Sequence, residues 1–411
     1  MTDVPARGGG GAVGPVRPLE GLRVIDAATI LAGPVTATLL ADFGADVIKV
    51  ELPGRGDPSR EGPGPEAGRS FLWLQEGRNK RSITLDLRQR EGQALLRRLV
   101  GVCDAMIENF RPGTLEAWEL GPDALLAVNP ALVLLRISGY GQTGPYRRRG
   151  AFDRTASAFG GSLYVTGYPD LPPVRSGYAV ADYMTAYAGA FALATALYWR
   201  DARGGRGQVI DLALYGPILR ASEATIPLYH STGRVRERSG DTNPFIVPSS
   251  SFPTRDGRWV VLSANTEPLW RRLAAAIGRP ELVTDERYAT LAARCANAEA
   301  LYAILEAWTH ARTAADIVRA CDEAEVPAAT VNSIADIFAD PHVRAREDIV
   351  LVEDARVGPI AVPGVLPKLS ATPGRIEHLG EELGRSNDDV YGGLLGLSAT
   401  DIAGLSERGV I

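Results

Sequence analysis

What most limits the fold of this chain is a rhythm of short apolar runs separated by amphipathic stretches, beginning at Leu22. RVIDAA (23–28) reads as a strand, 34–43 as a helix and DVIKVE (46–51) as a second strand. Pro34 falls in the helix's first turn, where a missing N–H costs nothing, and Gly44 where a C-terminal cap favours glycine. The rhythm resumes in SITLDL (82–87), a helix over 89–99, AMIENF (105–110), a short helix over 123–128 and ALVLLRIS (131–138). Strands alternating with helices in this way predict an α/β fold with a parallel sheet.

The connecting segments carry their own signals. Residues 55–68, rich in Gly, Pro and charge, read as an ordered surface loop or lid. After the loop 139–150, a Gly-rich aromatic stretch leads to the apolar helix 183–199, which predicts packing over most of its circumference. The polar connector 229–243 marks a domain boundary. A second unit then opens with a hairpin, SSSFPT and RWVVLSA around Asp256-Gly257, followed by helices over 268–276, 298–309 and 314–325. Beyond Val331 come extended, Pro-punctuated segments such as GPIAVPGVL and a last short helix over 388–395; no internal repeat is found.

Charge and cysteine usage exclude several classes of function. Lys+Arg 44 against Asp+Glu 49 gives a net charge of −5, which speaks against a nucleic-acid partner or a polybasic membrane surface. Cys103, Cys295 and Cys321 are odd in number and far apart, so neither a disulfide framework nor a metal pair is expected, and a cytoplasmic setting fits. His230, His310, His342 and His378 are equally scattered, so no metal is expected. The run 183–199 falls short of the ~20 apolar residues that span a bilayer, and no membrane association is expected. Arg7 and the glycines 8–11 lack an apolar core of a signal peptide, so 1–17 reads as a disordered leader.

Two GxGxxG strings fail the test for a dinucleotide fingerprint. The first, 9–14, precedes the first strand; Gly139, Gly141 and Gly144 follow a strand, but Pro145 and Arg147, Arg148 and Arg149 come next and no helix opens there. Basic residues gather around strand ends: Lys49, Arg78, Lys80, Arg81, Arg88, Arg111 and Arg147 to Arg149. They either decorate solvent or converge on an anionic, phosphate-bearing ligand, because open α/β sheets bind ligands at their strands' carboxyl ends. Asp182 opens the long apolar helix, where an Asp most often serves as N-cap. The same place makes an ionised carboxylate a poorly solvated nucleophile. Asp153, in GAFD, competes for that role, and the residue physics does not choose between them.

On these residues and on PLEGLRVID, LAGP, LLADFGADVIKVE, GRNKRSITLDL, ENFRPG, SGYGQTGP, TGYPDLPPVRSGYAVADYMTAYAGA, TRDG, DPHVRAR, LGLS and GVI, the chain resembles the class III CoA-transferase (CaiB/BaiF) family over 19–411. The resemblance implies a Rossmann-like large domain with an open parallel sheet built from both chain ends, 18–228 and 331–411. It also implies a small α+β domain over 229–330 and an interlaced homodimer.

In that resemblance the nucleophile is Asp182, which follows TGxxDxPP and lies between Gly177 and Gly189. It would attack a donor acyl-CoA to give an acyl-aspartyl anhydride and CoA thiolate; the thiolate would return to form an aspartyl-CoA thioester, freeing the donor acid, and an incoming carboxylate would then take the CoA through a second anhydride. Ile30, Leu31, Leu85, Arg88, Asn109, Phe110, Arg111 and Arg149 take the positions of CoA contacts, while Leu52 and Ala117 stand where relatives can present Arg. Tyr140 and Arg175 are candidates for thioester or acceptor contacts, since a dicarboxylate calls for a cation near the nucleophile. CoA thioesters, with succinyl-CoA as a candidate donor, are substrates, and no permanently bound cofactor is implied. A rival reading is an α-methylacyl-CoA racemase, which needs a His before the Asp of GAFD; Phe152 stands there and cannot move a proton. A non-catalytic CoA-binding subunit would have lost the nucleophile, and Asp182 is present.

Overall fold

The computed structural model describes residues 17–411, so the expected leader, Arg17 apart, and the string 9–14 lie outside the described residues. Six parallel strands form the main sheet: β1 (Arg23–Asp26), β2 (Asp46–Glu51), β3 (Lys80–Thr84), β4 (Ala105–Glu108), β5 (Val133–Ser138) and β6 (Gln208–Ala213). Their spatial order is 3-2-1-4-5-6, so the direction of winding reverses between β1 and β4.

Alternation along each strand splits its side chains between two cores. Val24, Val47, Ala105, Ile107 and Leu135 face one side and pack with α1 (Ala32–Asp42). Ile25, Ile48, Met106 and Leu134 face the other, under Leu95, Leu96 and Leu99 of α2 (Arg90–Val100). Tyr391, Leu405 and Ile411 join that second core, which is how the end of the chain comes to close a sheet begun at its start. Two further helices, α3 (Asp153–Phe159) and α4 (Val180–Ala202), belong to the first core's side. α4 is not packed over most of its circumference within one chain: Tyr187, Phe191, Tyr198 and Trp199 are 47%, 75%, 61% and 50% exposed. No helix among the described residues is long and apolar enough to cross a membrane.

The described residues divide into two units, one of 17–161, Ser176–Glu223 and Arg346–Ile411, the other of Ser162–Arg175 and Ala224–Ala345. These divisions differ from those expected at 228/229 and 330/331. Segment 162–175 joins the second unit because Gly240 N–H donates to Gly167 O at 2.9 Å and Arg238 Nη1 to Tyr164 O at 2.9 Å. Residues just past 331 stay with it through the Arg258–Asp336 ion pair at 3.0 Å.

The second unit contains the hairpin β7 (Ser249–Pro253) and β8 (Trp259–Ser263), with Gly257 at φ 73 in its turn. Helices α5 (Glu267–Ala276), α6 (Ala298–His310) and α7 (Ala314–Glu323) pack Trp270, Leu301, Leu305 and Ile317 over it. β9 (Ala328–Thr330) adds an antiparallel third strand.

In the first unit, GPIAVPGVL supplies β11 (Gly358–Pro363), which pairs antiparallel with β10 (Ile349–Asp354). The expected last helix is a π-helical turn over Asp388–Leu394, and it is not the last. α8 (Ala399–Glu407) follows behind a reciprocal cap in which Ser398 Oγ accepts the Asp401 N–H and the Asp401 carboxylate accepts the Ser398 N–H, both at 3.1 Å.

Candidate active site

Outside the carboxyl ends of β1, β4 and β5, at the reversal of strand order, lies a cavity of about 260 Å³ whose lining includes Ile30, Leu31, Asn109, Arg111, Arg149 and Asp182. Asp182 is the third residue of α4 and does not cap it. That task falls to Asp153 at the start of α3, whose Oδ1 accepts the Ala181 N–H at 2.7 Å. The two carboxylates that the sequence leaves unchosen therefore separate by role. Asp182 has no hydrogen-bond donor or cation on its carboxylate among the described residues, and burial, reinforced by the nearby negative charge of Asp153, raises its pKa to about 6. A carboxylate ionised above that pH, half-buried and unbonded, is poorly stabilised and correspondingly nucleophilic.

The wall facing this cavity is made by the turns after β1 and β4, and they are tied together. Asn109 Oδ1 accepts the Thr29 N–H and its Nδ2 donates to Thr29 O, both at 2.8 Å. Behind Phe110, the Glu108 carboxylate accepts the Phe110 N–H at 2.7 Å and the Nε of buried Arg136 at 2.7 Å. Burial raises the Glu108 pKa to about 7 although Arg136 pulls it down.

A second cavity of about 220 Å³ shares Thr29 and Phe110 with the first and reaches Leu52, Leu85, Arg88 and Trp118. Phe110 meets Trp118 edge to face at 5.2 Å. Arg88 is paired with Asp86, at 2.8 Å and 2.9 Å, while most of its side chain remains exposed. Arg55, close in sequence to Leu52, lies 3.9 Å from Glu61 and is exposed.

The basic residues divide sharply. Lys49 is buried, 2.9 Å from Asp57 and 3.7 Å from Asp26, and Lys80 lies 2.9 Å from Asp26. Arg78 pairs with buried Asp42 at 2.6 Å, and Arg81 with Asp46 at the amino end of β2 at 2.6 Å. These four neutralise carboxylates of the fold and do not converge on a ligand. Arg111 and Arg149 do line the Asp182 cavity, and Arg149 stacks over the Tyr146 ring at 3.8 Å. Arg147 and Arg148 are exposed beside them.

Tyr140 is not among the residues lining that cavity; it packs against Phe159 at 5.0 Å and Tyr146 at 5.9 Å. Arg175 is exposed on the second unit. Phe152 lines the cavity and supplies no acid or base. The sequence reading missed Asp57, Glu108 and Arg136. For Glu108 and Arg136 the available signal was a charge inside an otherwise apolar strand, as in MIE or LLRIS, which is tolerated only when paired; Asp57 lies in the loop 55–68 and carries no such signal. Among the described residues no group of three His, Cys, Asp or Glu side chains is placed to hold a metal ion.

Comparison with known proteins establishes the family. The sequence matches CoA-transferase family III over residues 19–386. It is 46% identical to succinyl-CoA--D-citramalate CoA-transferase of Chloroflexus aurantiacus, covering 97% of this chain and 99% of that protein. It is 38% identical to succinate--glutarate CoA-transferase of Agrobacterium fabrum, covering 95% and 97%. Among solved structures, a CaiB/BaiF family protein from Brucella suis superposes with a TM-score of 0.80 at 35% identity, over 92% of this chain and 99% of that one. A match spanning most of the chain, joined to relatives alike over nearly their whole length, leaves one conclusion: the chain belongs to CoA-transferase family III and is a CoA-transferase.

Proposed function

We propose that this protein moves CoA from succinyl-CoA to a second carboxylic acid of the dicarboxylate class, with Asp182 as nucleophile. The observation that carries the reading is an unbonded Asp182 carboxylate, its pKa raised to about 6, in the cavity at the reversal of strand order. A carboxylate oxygen of Asp182 attacks the thioester carbonyl; the C–S bond breaks and CoA thiolate leaves, giving a succinyl-aspartyl anhydride. The thiolate attacks the aspartyl carbonyl and expels succinate, leaving an aspartyl-CoA thioester. The acceptor carboxylate repeats the sequence in reverse, and Asp182 is regenerated. Each step exchanges one acyl bond for another, so thioester energy is conserved.

The two joined cavities suit a CoA thioester: Leu85, Arg88 and Phe110 at the outer one, and Ile30, Leu31, Asn109, Arg111 and Arg149 leading to Asp182. Asn109 contributes chiefly by fixing the wall, since Thr29 engages both ends of its amide. Tyr140, packed edge to face on the Tyr146 ring that Arg149 covers, is proposed as an acceptor contact. Succinyl-CoA is the donor in the names of the Chloroflexus relatives, which supports it here. Because the nucleophile is present and Phe152 replaces the second base, transfer is favoured over racemisation. The exposed aromatic face of α4 supports an interlaced homodimer, and three free cysteines fit a reducing compartment such as the cytoplasm.

The test is peptide-resolved mass spectrometry after mixing the protein with succinyl-CoA and other acyl-CoAs without acceptor, trapping with hydroxylamine. The adduct is expected only on the peptide containing Asp182. No adduct from any donor, with α-proton exchange in deuterated water instead, would replace this reading by the racemase.

A further inference from the structure

The turn between β1 and α1 forms part of the wall of the Asp182 cavity, and its backbone is held by side chains from four other places in the chain. Ala28 O accepts from Lys49 Nζ, and the Ala28 N–H donates to Asp26 at 3.2 Å. Thr29 is held through both N–H and C=O by Asn109. The Ile30 N–H donates to both oxygens of Asp57, at 3.1 Å and 3.3 Å. Ile30 itself stands at φ 70, a left-handed conformation that a β-branched side chain resists.

Asp57 is well fixed for this task. It is 2% exposed, ion-paired with Lys49 at 2.9 Å, and accepts the Ser59 N–H at 2.8 Å, while its own N–H donates to Glu51 at 2.9 Å. Burial by itself would raise its pKa, but Lys49 and Ser59 hold it down at about 2, so it is ionised throughout the working range. A left-handed Ile with an ionised carboxylate on its N–H, lining the cavity that also holds Asp182, is backbone strain of the kind that clusters at functional sites.

We propose that Asp57, anchored by Lys49, is a positioning residue of the transfer reaction: it keeps Ile30 left-handed and so presets the wall against which the thioester meets Asp182. The proposal rests on the reading of Asp182 as nucleophile. With Asp57 neutral, Ile30 relaxes to an ordinary backbone region and the wall shifts, which slows acylation more than it weakens CoA binding.

The test measures single-turnover acylation of Asp182 by succinyl-CoA, CoA affinity, and hydrogen exchange of the 28–33 peptide, in wild type, Asp57→Asn, Ile30→Gly and the double variant, with thermal melts as a check on folding. Asp57→Asn is expected to slow acylation by about 10- to 100-fold with CoA affinity changed less than about threefold, and to lose protection at 28–33. Glycine takes a left-handed backbone without strain, so in the Ile30→Gly background the same change should slow acylation less than about threefold. Equal losses in both backgrounds, or unchanged exchange at 28–33 in Asp57→Asn, would overturn the proposal. A wild type that never acylates Asp182 overturns the reading of the nucleophile instead, and the exchange measurement still decides the role of Asp57.

Discussion

At the scale of single residues, the titration of Asp182 connects structure to rate. As the proposed nucleophile Asp182 must be ionised, so kcat/KM for the proposed donor, succinyl-CoA, is expected to rise with pH, with a limb near 6, and to flatten above about 7. Asp153 is placed to test the cause. Asp153→Asn keeps an oxygen for the Ala181 N–H but removes the like charge, so the limb should move below 6 with little loss of stability. A limb that stays in place in Asp153→Asn would show that burial alone sets it. The same group acts on stability. Its folded pKa lies above the ordinary aspartate value of 3.8, so the folded state binds the extra proton, and stability falls as pH climbs from about 4 to about 6. Asp182→Asn should therefore raise Tm at pH 8, by the equivalent of about 1–2 kcal/mol after screening, and leave it unchanged near pH 3.5. Of this residue the sequence shows the place at a helix start. It does not show that Asp153, 29 positions earlier, would take the capping role and leave Asp182 unbonded.

At the scale of elements, the turns that follow β1 and β4 depend on close packing and on buried charge. A Cβ at Gly33 would fall 2.2 Å from Ala28 Cβ, so α1 can lie against the β1 turn only through that glycine. Gly33→Ala is expected to destabilise by about 1–3 kcal/mol in a urea melt. Arg136 offers a sharper case. Arg136→Met leaves Glu108 buried beside an apolar side chain, where an unpaired carboxylate costs about 3–5 kcal/mol. Because burial already raises Glu108 to about 7, protonation relieves part of that penalty, so the variant should lose less stability at pH 6 than at pH 8.5. A loss independent of pH would mean that Glu108 stays neutral throughout. β1 to β5 were legible because apolar runs and turn residues are local signals. β6 was not, since QVIDLA is half-exposed at the sheet edge and its apolar pattern is weak. The bond from Asp57 to Ile30 spans 27 positions, and no local pattern records it.

At the scale of the whole molecule, the helix that carries Asp182 also leaves a broad aromatic face uncovered. α4 turns Leu193, Ala196 and Leu197 into the sheet's core and leaves Tyr187, Phe191, Tyr198 and Trp199 outward. Four large aromatics on one helix form an apolar surface of the kind monomers rarely leave to water. If a second copy covers it, the particle should weigh 2 × 43.8 = 87.6 kDa by light scattering at micromolar concentration. Phe191→Glu would set a charge in that contact, and it is expected to shift the population toward 43.8 kDa or to lower Tm in proportion to dilution. Because Phe191 and Asp182 share one rigid helix, loosening the contact should also reduce the rate at which Asp182 is acylated. A wild-type mass of 43.8 kDa with full transferase activity would sink the dimer and show that one chain completes the site by itself.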